Sequence, residues 1–207
     1  MDLKINGAIE ATADVVKALN EATEDVTLVI NSPGGSVLEG LQVVNAIRNC
    51  KQKVTAKVEV MACSMGGVVA LACHRLIMHK DDLLMLHNCM SYAEGNKEEI
   101  ANAIESMKAI DAVLHSIVME HAKDKTLDAR IDNGEVWLTG EQAAAMFDHV
   151  TIEEAAKKPD MVAVAGFAGV IHKLRDFEAE KREAERKANY KVPEDLQALL
   201  DSADKLE

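Results

Sequence analysis

The chain has 207 residues, room for one domain of ordinary size or a domain with an appendage. Its formal charge of −12 sets aside a nucleic-acid groove, which needs a basic face, and no apolar run approaches the ~20 residues that cross a bilayer. Hydrophobic residues make up 48% and aromatics 3%, so the core is expected to be built from Val, Ile, Leu, Met and Ala.

The N-terminus, Met1-Asp2-Leu3-Lys4-Ile5, shows no charged leader followed by an apolar stretch, and the expected location is the cytoplasm. Cys50, Cys63, Cys73 and Cys89 have no Cys-x-x-Cys spacing, so reduced, buried thiols are expected, with neither a disulfide framework nor a zinc site.

In chain order, Leu3 to Ile9 alternates as a strand, and Thr12 to Glu21 carries Val15, Val16 and Leu19 at helical spacing behind a possible Thr12 cap. The β-branched run Val26-Thr27-Leu28-Val29-Ile30 reads as a strand buried on both faces. It stops at the turn cluster Asn31-Ser32-Pro33-Gly34-Gly35, and a helix follows with Leu38, Leu41, Val44, Ala46 and Ile47 apolar. The unit then repeats: strand Val54 to Val60, turn Met61 to Ser64, small-residue helix Met65 to Cys73. Two short strands are expected at Arg75 to Met78 and Leu83 to Leu86. Such alternation implies an α/β fold with a parallel sheet, and ligands in such sheets bind at the carboxyl ends of strands, where both glycine-rich turns fall.

From about Lys97 to His121 a long helix repeats Ile100, Ala103, Ile104, Met107, Ile110, Leu114, Ile117 and Val118 at three- and four-residue spacing. That stripe is more than one small domain easily covers, so a homo-oligomer is expected. Thr139-Gly140-Glu141-Gln142 looks like a helix start leading to Phe147 and Val150-Thr151-Ile152. The expected division is a domain over 1–168 and a charged helical or disordered appendage over 169–207.

Ser64-Met65-Gly66-Gly67 at a strand–helix turn, with Asn31-Ser32-Pro33-Gly34-Gly35 upstream, pairs a hydroxyl with backbone donors, as acyl transfer requires. Ser32 and Ser36 read as turn formers, and Cys63 as a small core residue. A nucleophilic serine needs a base. His115, His121 and His172 read as solvated surface, His149 as a partner for the last carbonyls of a helix, and His74 and His79 as covers for strand ends. His87 follows Leu83-Leu84-Met85-Leu86, so a polar side chain appears where a buried strand reaches the sheet edge; periodicity alone leaves a base and a satisfied core histidine both open. Asp128, Asp132 and Glu135, in an expected loop before Val136-Trp137-Leu138, are the candidate orienting acids, and simple hydration is the competing explanation for each.

In order and approximate spacing, Asn31-Ser32-Pro33-Gly34-Gly35-Ser36-Val37, Ala62-Cys63-Ser64-Met65-Gly66-Gly67, Met85-Leu86-His87 and Trp137-Leu138-Thr139-Gly140-Glu141-Gln142-Ala143 resemble the Clp protease proteolytic subunit. The resemblance runs from about Leu3 to Ile152 and implies a crotonase-like spiral of ββα units with 97–121 as a protruding handle helix that zips two heptameric rings together. It implies a serine endopeptidase acting on peptide or unfolded protein inside a self-compartmentalised ring, with no metal or organic cofactor. Ser64 would be the nucleophile, His87 the base, and the backbone N–H groups of Gly35 and Met65 the oxyanion hole. The family's aspartate falls on Glu135; Asp132, which has the family's residue type, is the alternative if the loop is reshaped. The near-immediate start at the first core strand and the long charged tail are more similar to prophage-encoded relatives associated with capsid maturation, which leaves docking of an unfolding ATPase open. An inactive ring-forming scaffold and an acyl-CoA enzyme of the crotonase type are the competing readings, the latter weakened by Ser64 and His87 in place of a glutamate base.

Overall fold

The computed structural model describes residues 1–154; the 155–207 segment, which contains His172, the 168/169 boundary and the expected appendage, lies outside the described residues. Four parallel strands form the spine: β1 (Asp2–Asn6), β2 (Val26–Ser32), β3 (Val54–Cys63) and β4 (Arg75–Met78), in that spatial order. Helices α1 (Ala13–Asn20), α2 (Val37–Asn49) and α3 (Met65–Leu71) connect them, as the repeated strand–turn–helix pattern predicts. Val26, Leu28 and Ile30 of β2 are fully buried while Thr27 and Val29 are half-covered, so the run is sealed on one face instead of both.

The sheet divides at β3. Thr55 to Lys57 pair with β4, whereas Met61 to Cys63 pair with β5 (Leu83–Leu86). The strand was expected to end at Val60; it continues through a register shift, with Val60 in the left-handed region at φ 76°. A valine there is strained. Its N–H donates to Asp82 Oδ1 at 3.2 Å, and Asp82 Oδ2 accepts from His79 N at 2.7 Å, so one carboxylate pins both the bulge and the turn before β5. Burial pushes the Asp82 carboxyl up, against the amides and ring of His79 and the amide of Val60 that pull it down.

On the far side of β4 lies β7 (Val150–Ile152), parallel; β5 pairs instead with β6 (Val136–Thr139), the one antiparallel pairing among the described strands. Between them in sequence come α4 (Lys97–Met119), α5 (Leu127–Asp132) and, after β6, α6 (Gly140–Met146). The segment expected to be a loop around Asp128 and Asp132 is therefore mostly helical, a single short turn of structure whose apolar Leu127 and Ile131 are buried. Asn96 and Glu99 close a capping box at the start of α4. Leu114, Ile117 and Val118 bury the C-terminal part of its stripe in the domain, whereas Ile100 and Ile104 on the same stripe remain 40% and 48% exposed.

Candidate active site

Two glycine-rich turns meet at the carboxyl ends of β2 and β3. Ser32 organises the first: its Oγ donates to Gly7 O at 2.7 Å and accepts from Gly34 N at 3.1 Å. Ser36 caps α2 by accepting from Glu39 N. Glu39 in turn accepts from Thr12 N at 2.9 Å and Thr12 Oγ1 at 2.8 Å, which holds its carboxyl below the usual range and ties the start of α1 to that of α2. The sequence suggests Thr12 as a side-chain cap of its own helix, but its hydroxyl is directed to Glu39 instead.

Gly34 and Gly35 sit at φ 102° and 147°, and each is forced by a close approach. A Cβ on Gly34 would stand 2.6 Å from Ser64 Cβ, and one on Gly35 would stand 2.5 Å from Ile9 O. Ile9 bridges Gly35 in parallel fashion, donating to Gly34 O at 2.8 Å and accepting from Ser36 N at 2.7 Å. In such a bridge the middle residue's own N–H points the other way, so that of Gly35 faces away from Ile9.

Ser64 stands on the second turn, between β3 and α3, at φ 53° and ψ −125°. That conformation is a sharp elbow that presents the side chain outward, as nucleophilic serines at strand-to-helix turns require. It is held by Ser64 N donating to Met85 O at 2.7 Å and by the close packing of α3, all seven residues of which are buried. Gly66 and Gly67 allow that packing against Ser32 and Met85. The first turn of α3 leaves the Met65 N–H without an intrahelical acceptor.

His87 Nε2 lies 2.6 Å from Ser64 Oγ. Among the six described histidines, the one that follows the Leu83–Leu86 strand is brought to the serine. The β5–β6 register ends at the pair Leu86 and Val136, with His87 following the one and Glu135 preceding the other. Gly134, at φ 145°, makes the turn that delivers Glu135 to the head of β6, and Glu135 Oε2 accepts from Trp137 Nε1 at 3.0 Å. Asp132, the last residue of α5, accepts from Asn88 Nδ2 at 3.3 Å, and Asp128 holds His115 Nδ1 at 2.7 Å.

His115 is not solvated surface. Its side chain is 15% exposed, with Nε2 2.7 Å from Asn88 Oδ1, so the residue after His87 is tied to α4 and α5. The partners come from three separate segments, which is why helix periodicity alone misses them. All four cysteines are free, and burial pushes Cys73 up to about 12 and, with Asp111 beside it, Cys89 up to about 11, so neither is a ready nucleophile. Cys63, beside Ser64, is fully buried with its sulfur 3.8 Å from that of Met61.

A sequence model of the Clp protease family matches residues 6–151, a span that includes both turns, His87 and Glu135. The chain belongs to the Clp protease family. It is 29% identical over 170 residues to the ATP-dependent Clp protease proteolytic subunit of Leuconostoc citreum, covering 75% of this chain and 84% of that one. Against the proteolytic subunit of Carsonella ruddii the identity is 30% over 128 residues, 58% of this chain and 66% of the relative. The corresponding subunit of Streptococcus pneumoniae is 30% identical over 130 residues, 59% of this chain and 65% of the relative. The family is one of peptidases, and the mixed α/β architecture agrees with the Clp protease fold.

Proposed function

We propose that this Clp family chain is a serine endopeptidase acting through Ser64, His87 and Glu135. The observation that carries the reading is the 2.6 Å contact between Ser64 Oγ and His87 Nε2 on a strained elbow. As the serine oxygen attacks the peptide carbonyl, its proton passes to Nε2, which requires the Nδ1–H tautomer; the same proton then goes to the departing amine. Water, deprotonated by the same imidazole, releases the acyl group and restores the serine. The N–H groups of Gly35 and Met65 receive the oxyanion. No metal or organic cofactor takes part in these steps. The substrate class is peptide or unfolded protein, admitted to a cytoplasmic ring of one or two heptamers. A part in phage capsid maturation is a narrower form of the proposal and rests on the sequence resemblance alone.

A fluorophosphonate probe tests the reading directly. It is expected to label the native chain at Ser64, because only a serine activated by a base reacts at a useful rate. Absence of labelling in the assembled protein would favour an inactive ring-forming scaffold.

The acid has its own test. If Glu135 orients His87, Glu135→Gln lowers turnover by ~10²-fold or more, whereas Asp132→Asn, whose partner is Asn88, has a mild effect. The opposite order in steady-state kinetics would transfer the role to Asp132, and two mild effects would leave a Ser–His dyad.

A further inference from the structure

His121, Asp148 and His149 converge where the chain leaving α4 meets the start of β7. One donor atom from each lies within 4.8 Å of the others. The backbone fastens them: Asp148 N donates to His121 O at 3.0 Å, Lys123 N to Met146 O at 2.8 Å, and Leu76 N to His149 O at 3.1 Å. The side chain of His149 is only 7% exposed, and its Nε2 lies 3.2 Å from Leu71 O, the final residue of α3. A carbonyl only accepts, so Nε2 carries the proton and Nδ1 presents a lone pair. The sequence reading paired His149 with a helix terminus, and this contact supplies one, although the helix is α3 instead of the preceding α6.

That Nδ1 is buried with no hydrogen-bond partner. A buried, unsatisfied acceptor is costly. His121 is not free surface either: its ring stacks on that of His149 at 3.8 Å, and its Nδ1 lies 2.9 Å from Asp148 Oδ1. The same Oδ1 is 3.7 Å from His149 Nδ1. Two donors at tetrahedral angles on a zinc ion stand ~3.4 Å apart, a spacing these two distances bracket.

We propose that His121, Asp148 and His149 bind one borderline divalent transition-metal ion, zinc above others, with water in the fourth position. Two imidazoles and one carboxylate suit zinc better than calcium or magnesium, which prefer all-oxygen shells. The Leu71 carbonyl is the outer-shell partner that fixes the His149 tautomer. Asp148 is 62% exposed, so solvent reaches the open position. The site lies at the amino ends of β4 and β7, whereas Ser64 follows the carboxyl end of β3. The ion is therefore structural: it clamps the segment after α4 to β7 and satisfies the orphaned nitrogen. This inference is independent of the peptidase reading.

The test uses the full chain, stripped with chelator and titrated with Co²⁺ followed visibly, then with Zn²⁺ in competition. One ion per protomer is expected, with low micromolar or tighter affinity for Zn²⁺ and four-coordinate Co²⁺ bands. His121→Asn and Asp148→Asn, both at partly exposed positions that leave the core intact, should each weaken binding at least tenfold and abolish the rise in Tm that Zn²⁺ gives the parent protein. His115→Gln, which removes a separate histidine–carboxylate pair, should leave binding unchanged. No saturable binding, binding indifferent to His121 and Asp148, or binding lost with His115 would each overturn the proposal.

Discussion

Replacing Ser64 by alanine is expected to lower peptide hydrolysis by ~10⁴-fold or more while the chain folds and assembles as before. The substitution removes the oxygen that meets His87 Nε2 and keeps the Cβ that lies against Gly34, so the packing of the elbow survives. Alanine is no more strained than serine at φ 53°, because the penalty comes from the Cβ that both possess. His87→Ala should cost a comparable factor, and the double variant little more, since nucleophile and base act as one unit. Steady-state hydrolysis of an unfolded protein, alongside circular dichroism and light scattering of the same samples, measures all three. Activity near that of the parent in Ser64→Ala would place the chemistry elsewhere.

The parts of this site that sequence makes legible are those written locally. β4 and β5 match their expected bounds because short apolar runs are closed by polar residues on both sides. His87 stands out because it ends such a run. The continuation of β3 past Val60 is not local: its N–H is satisfied by Asp82, 22 positions away, so Met61 to Ser64 resembles a turn until the fold supplies that carboxylate. α5 is only six residues long, too short for periodicity to declare it. The antiparallel β5–β6 pairing is not legible either, because alternating strands and helices imply a parallel sheet. In the same way the His115 and His121 partners lie 13 and 27 positions distant along the chain, and each ring sits at a seam that periodicity does not represent.

A charge on the exposed part of the α4 stripe is expected to break up the assembly. The stripe is continuous in sequence yet covered only at one end: Leu114, Ile117 and Val118 are buried in the protomer, while Ile100 and Ile104 are exposed about three to four turns earlier. Apolar surface of this kind, on a helix set with a strong capping box, is what a second copy of the same helix would cover. Burying one isoleucine side chain contributes about 2 kcal/mol, and placing a carboxylate in the same contact costs more, with the change repeated in every protomer of the proposed assembly. On the proposed ring assembly, Ile104→Glu should therefore lower the apparent mass by at least half, with Ile100→Glu additive to it. Within the protomer neither side chain is buried, so circular dichroism should show the fold of the dissociated domain intact. Light scattering across a concentration series reads the outcome. A parent protein that is monomeric at tens of micromolar, or an Ile104→Glu variant of undiminished mass, would refute the interface.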